Sequence, residues 1–527
     1  SQALQGCAGA GADYRCLQLH QWIAQHYKLQ HRLVEAQQHA QVALDLARGQ
    51  LSLDAVDQSL LQLGDIARLR GEPGRTRAFL EERVLRTPQD AYARTYLHES
   101  LAVLRNAAFD AAGARVELRE AARAGPFTWV GAYTLSDIIR MAPEPSDRPW
   151  LSEVLAAQRA RPLPEAERLL MDHIEGRALI DSDGAAGAAL LRKSIDAAAK
   201  LPTDGMAQKV RTFSYRELKL DAGRRGAHGE VFRLLHEEGA APESPACAVA
   251  VEAHDDRLEI AARNAQGVVT GVYRKQPVVP DARTLLPEEI KKALAGCQAV
   301  KAFASPPVHG QAGLFPDGVA WSYAGPSAQA APVGPDALAG RELVVHGVEG
   351  PAELKLPRLA AWADVAQPGA TTLAGGEATP QRVLAELADA GLVELHTHGL
   401  VDLGVSDASL LVLSPDASGR WALTAQDIRN QPLKGHPVVL LAACRAARVA
   451  PFFHQPWSLP RAFTDAGARA VIAAPVDLPD DEARQFFRGV VERLRRGSTA
   501  PVALRDERAQ WLSQGRGDWV RQVLVFE

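Results

Sequence analysis

Two apolar runs in the carboxy-terminal half leave this chain little choice of architecture. One is Leu392-Val393-Glu394-Leu395-His396-Thr397-His398-Gly399; the other is Pro437-Val438-Val439-Leu440-Leu441-Ala442-Ala443-Cys444-Arg445. Neither alternates polar with apolar residues, so neither keeps a face for water. Each reads as a strand covered on both sides, which is the habit of parallel sheets flanked by helices. Each run also ends in residues that can do chemistry, His398-Gly399 in the first and Cys444 in the second. Open α/β sheets place their sites at strand ends. A thiol and an imidazole delivered to one sheet edge can form a thiolate–imidazole pair.

The 527 residues exceed what one core can hold, and about two to four domains are expected. The 59 basic and 63 acidic residues nearly balance, which excludes a general nucleic-acid or polybasic membrane surface. No apolar run reaches the roughly 18 residues of a membrane span. The chain begins at Ser1 rather than Met, as expected for a processed form or a fragment, with any targeting peptide upstream.

Residues 13–240 lack strand alternation and are rich in Ala, Leu, Arg, Glu and Gln. Leu60, Leu63, Gly64, Ala67, Gly71, Leu80 and Pro88 fall where a 34-residue TPR unit wants large, small and helix-ending residues. In that reading Gly64 lets two helices approach and Pro88 stops the second. A degenerate unit follows from Ala91 to a stop at Gly125-Pro126, with further helical pairs over 151–161, 164–180, 185–200 and 208–238. Such an array offers a curved surface for a protein partner. A linker at 241–245 then separates residues 1–240, TPR-like and all-α, from an α/β domain at 246–527. Strand-like runs at 248–253, 258–263, 268–274, 299–304, 315–322 and 341–348 build an amino-terminal half to residue 350. Helices at 287–294, 356–364 and 380–390 lead toward the His run, and 351–527 is the half that carries the reactive residues.

The two strand-end motifs, with Ser409-Leu410-Leu411-Val412-Leu413, Leu423-Thr424 and Asp427-Ile428 between them, resemble the caspase-like cysteine peptidases of clan CD. The similarity is closest to the CHAT family, where a peptidase domain follows TPR-like helices. Ser458-Leu459-Pro460-Arg461-Ala462-Phe463, Ala466-Gly467-Ala468-Arg469-Ala470-Val471-Ile472 and Ala503-Leu504-Arg505 extend the match. The resemblance implies an α/β caspase-like domain, a mostly parallel sheet with helices on both faces. It also implies His398 as catalytic base, Cys444 as nucleophile, and the amides of Gly399 and Cys444 as oxyanion hole. No metal or cofactor is called for. Some members are released by a bound partner to cut one dedicated protein, sometimes in bacterial defence. The chain departs from the family in having Ala442 before Ala443-Cys444 where Ser is common, and Arg445-Ala446-Ala447 after it where Glu-Thr-Gly is common.

Other readings stand beside this one. Cys444 could be an ordinary buried strand-end residue. His396, His398, His436, His454 and Cys444 could ligate zinc, although closely spaced ligand pairs are absent. His396 reads as structural. The alternative to an active peptidase is a catalytically silent scaffold that presents the helical surface. Substrate-pocket candidates are Asp407 and Asp477, from loops after the His strand and after 470–474, and a basic side chain before the scissile bond would suit them. Arg445 argues for an acidic one instead. Asp480 and Asp481 read as a helix start. The five cysteines read as reduced thiols in a cytoplasm; the alternative is an exported protein with Cys7–Cys16 and Cys247–Cys297 disulfides and Cys444 free.

Overall fold

The computed structural model describes residues 14–29, 33–239, 247–254, 256–276, 281–324, 341–359, 362, 369–400, 409–451 and 456–527. The chain divides into two compact units, Ser1–Asp221 and Ala222–Glu527.

Every element described in the first unit is a helix, and successive helices pack as hairpins. The hairpin expected from the repeat pattern is formed by Leu53–Leu69 and Pro73–Arg86. Leu60, Leu63, Ala67 and Leu80 are all buried, Leu60 and Leu63 in a core shared with the preceding helices and Leu80 in one shared with Tyr96 and Leu97. A Cβ on Gly64 would collide with the Leu80 side chain, so glycine is what lets the two helices touch. Gly71 turns the chain with φ +69, a conformation that costs other residues more. Side-chain caps then restart the helices: Asp90 accepts from the Tyr92 amide, Asp110 from Gly113, Asp183 from Ala186. The sequence reading missed the helix Trp129–Met141. Its first turn is held by buried Glu99, which accepts from both the amide and the hydroxyl of Thr128. Asp65 ties three helices together by accepting from Lys28, Arg68 and the Tyr96 hydroxyl. Burial alone would raise its carboxyl, but the two cations outweigh burial and hold it well below the usual range.

The second unit is a mixed, mostly parallel sheet. Its strands are β1 (Ala248–His254), β2 (Arg257–Arg263), β3 (Val269–Lys275), β4 (Val300–Ala304), β5 (Trp321–Tyr323), β6 (Arg341–His346), β7 (Thr371–Ala374) and β8 (Ala390–His396). Then come β9 (His398–Leu400), β10 (Leu410–Val412), β11 (Ala422–Thr424), β12 (Val438–Ala442), β13 (Ala450–Pro451), β14 (Pro456–Trp457), β15 (Ala470–Ala473) and β16 (Leu524–Phe526). Among the described residues the main sheet runs β3-β2-β1-β4-β5-β16-β15-β12-β8-β6-β7, with β9, β10 and β11 forming a small separate sheet. The β6, β8, β12 and β15 ladders are parallel. Both faces are covered, as the unbroken apolar runs demand. Val393, Leu395, Val439, Leu441 and Val471 join one core with the helices Pro380–Leu387 and Leu459–Asp465. Leu392, Leu440 and Ile472 join the other, against Asp480–Arg495 and Ala500–Ser513.

The structure corrects several elements. The strand expected at 315–322 begins only at Trp321 and runs to Tyr323, because Pro316-Asp317-Gly318 bends the chain before it. The helix expected at 356–364 is absent from the described residues there; Pro357 disfavours helical geometry at Leu356. β7 and β16 are too short to carry a periodic signal, yet β16 fills the sheet between β5 and β15. Cys247 and Cys297 form a disulfide, and Cys16 is disulfide-bonded as well; Cys7 lies outside the described residues. The reduced-thiol reading therefore gives way to paired cysteines. Among the described residues no helix is long and apolar enough to cross a membrane.

Candidate active site

The site is built by the ends of two neighbouring strands. β8 and β12 run parallel, with Ala442 paired to His396 at their last shared position. Two residues further along each chain come His398 and Cys444. Gly399 follows immediately, and a Cβ there would collide with the carbonyl oxygen of Cys444. Gly399 does not have positive φ, so glycine is required for close approach and not for an unusual backbone angle. The two motifs picked out from the sequence thus meet.

The two histidines of the His run part company at Thr397. Its hydroxyl donates to the Val412 carbonyl, and the chain leaves the main sheet to pair with β10. His396 is 2% exposed and lies against Trp362. Burial first, and then His346, drives its imidazole well below the ordinary range, so the ring stays neutral. His398 is half-buried at the site. Its Nε2–H donates to the Pro357 carbonyl at 2.7 Å. A carbonyl can only accept, so that bond assigns the proton to Nε2 and leaves Nδ1 as the basic nitrogen of the neutral ring. Cys444 is half-buried and the one free thiol among the described residues. Its sulfur receives the Leu478 amide N–H at 3.4 Å and lies 3.9 Å from the Leu478 carbonyl oxygen. Pro357 and Leu478 both act through backbone groups, which no residue pattern announces.

After Cys444 the backbone enters the left-handed region at Arg445, φ +58. Its amide donates to the Val476 carbonyl at 2.9 Å, and Ala447 donates to Ala474 at 3.0 Å. The segment after β15 is thereby laid along Cys444. Asp477, expected as a pocket wall, is ion-paired to Arg445 at 2.6 Å. Asp407 lies outside the described residues, as does His454. Asp480 and Asp481 open the helix Asp480–Arg495 as read from the sequence. His436 is engaged with the Gly467 carbonyl at 2.9 Å. Among the described residues no three His, Cys, Asp or Glu side chains are grouped to hold a metal.

Behind His398, Glu394 is fully buried and 3.5 Å from His396. Burial, reinforced by Glu342 and opposed by Arg495, pushes its carboxyl up to about 8. The folded state therefore holds a proton that the unfolded chain, at 4.5, has released. Stability from this group is complete below 4.5 and is lost as pH rises toward 8. Glu394→Gln should flatten that slope, raising Tm at pH 8 by several degrees while giving no gain near pH 4. Calorimetry across that range checks it; a parallel shift at every pH contradicts it.

Residues 258–521 match the family model described as the CHAT domain. None of the curated proteins matches the chain.

Proposed function

This chain belongs to the CHAT domain family, a caspase-like, peptidase-related group, and from that premise we propose that it is a cysteine endopeptidase directed by its helical region. The observation that supports the reading is the close backbone approach of Gly399 to Cys444, just past the last paired residues of β8 and β12. In the proposed reaction Nδ1 of His398 takes the Cys444 proton, and the thiolate attacks the scissile carbonyl carbon. The amides of Gly399 and Cys444 receive the oxyanion. His398 returns its proton to the leaving amine, and water, activated by the same nitrogen, hydrolyses the thioester. The Pro357 carbonyl accepts from Nε2–H of the neutral ring, which leaves Nδ1 to take and return the proton.

The TPR-like helices supply a surface for a protein that regulates or delivers the substrate. The Cys247–Cys297 disulfide supports an oxidising compartment over the cytoplasm. Incubation of the full chain with a proteome-derived peptide library, followed by mass-spectrometric identification of new amino termini, tests the activity. New termini from the wild type and none from Cys444→Ala are expected. No cleavage by either favours the silent scaffold. Comparing the full chain with residues 222–527 on the same library tests the helical region: a change in rate or specificity is expected, and identical profiles would remove its role.

A further inference from the structure

Two histidines meet in the helical unit, far in sequence from the residues of the candidate active site. His20 lies on the helix Tyr14–Leu29 and His39 on the helix Leu33–Gly49. The two helices pack as a hairpin, and the rings face each other across it. Their Nδ1 atoms are 2.9 Å apart and their ring centres 4.9 Å apart. Leu17, Ala24, Ala36 and Ala40 of the same helices are buried in one core, so the backbones that carry the rings are fixed. The rings themselves are half-buried, within reach of water.

In the neutral pair one Nδ1–H donates to the other nitrogen, and 2.9 Å is an ordinary length for that bond. It is also the spacing of two nitrogens on adjacent corners of a square around a metal. A metal about 2.05 Å from both sets them about 2.9 Å apart at a right angle and about 3.3 Å apart at a tetrahedral one. The matching ring centres lie about 4.5 Å and about 5.2 Å apart, and the observed 4.9 Å falls between them. A small turn of each ring therefore puts one metal in place of the shared proton.

We propose that His20 and His39 form a two-histidine copper(II) site that clamps this helical hairpin. The right-angled spacing suits the tetragonal geometry of copper(II) and nickel(II), and copper(II) stands above nickel(II) and zinc in the affinity order of nitrogen sites. Zinc prefers the wider tetrahedral angle and, in structural sites, four protein ligands. On binding, the donor ring moves its proton from Nδ1 to Nε2, so both rings stay neutral and no proton is released. Water completes the coordination. Glu35 stands one turn before His39 and acts on that ring with its negative charge, which also attracts a cation. The Cys247–Cys297 disulfide supports an oxidising compartment, where copper is held in its divalent state. The site is independent of the peptidase reading.

The test is titration of the full chain with copper(II) chloride, read by calorimetry, electron paramagnetic resonance and Tm. One equivalent should bind, show splitting from two imidazole nitrogens, and raise Tm by mass action. His20→Gln and His39→Gln should each weaken binding by more than the roughly tenfold that loss of an outer-shell partner costs a metal site. His98→Gln, at a histidine paired with Glu117, should bind copper as the wild type does. Zinc chloride should bind the wild type more weakly. Because a substitution can unsettle the hairpin, the wild type carries a further readout: one equivalent of copper should shield His20 and His39 from diethyl pyrocarbonate, with the modified residues located by peptide mass. No copper binding, or binding that neither glutamine variant weakens, overturns the proposal. So does a spectrum with one nitrogen or none, zinc bound more tightly than copper, or modification of His20 and His39 at an unchanged rate.

Discussion

Cys444→Ala is expected to end peptide cleavage, and His398→Ala to lower kcat/KM by about a thousandfold or more. The two losses should not add in the double variant, since nucleophile and base act as one unit. His396→Ala should behave differently. That ring is buried against Trp362 and neutral, so its removal opens a cavity and lowers stability by about 2 kcal/mol or more. The folded fraction should keep its activity within about tenfold. Steady-state rates normalised to active-site titre, with Tm measured in parallel, separate the two histidines. An inactive, well-folded His396→Ala beside an active His398→Ala would reverse the assignment.

Gly399→Ala should be nearly as damaging with only one methyl group added. That methyl would occupy the space of the Cys444 carbonyl oxygen, and a backbone atom cannot step aside as a side chain does. Either the loop carrying Cys444 or the strand carrying His398 must shift. Displacing reacting groups by about 1 Å costs on the order of a hundredfold in rate. The fold should survive, because the collision lies beyond the paired residues of β8 and β12. Wild-type kcat/KM in Gly399→Ala would show that the two strand ends do not meet as described.

Much of the scaffold was legible because burial on both sides writes itself plainly into composition. Val438–Ala442 and Ala390–His396 are strands for the same reason that they are nearly all apolar. Gly64, Leu80 and Pro88 likewise marked a helical hairpin, since close helix contact needs a missing Cβ. What was not legible depends on contacts across the chain. His396 ends a strand of the main sheet and His398 begins one of the small sheet, with the Thr397 hydroxyl bonded to Val412 between them. The partner of His398 is a backbone carbonyl at Pro357, in a stretch read as helix. Arg445 and Asp477 argued for opposite substrates in the sequence because their pairing is a tertiary fact. The disulfide at Cys247 and Cys297 was one of two readings until their placement beside β1 joined them.

The central claim is that Cys444 is a nucleophile activated by His398. The most direct measurement is the rate at which an acyloxymethyl ketone peptide labels the full chain, with the modified residue located by peptide mass. The claim predicts one equivalent on Cys444 in the wild type, none in Cys444→Ala, and labelling slowed at least about a hundredfold in a folded His398→Ala. Labelling at the same rate with and without the imidazole, or no labelling of Cys444 at all, would contradict it.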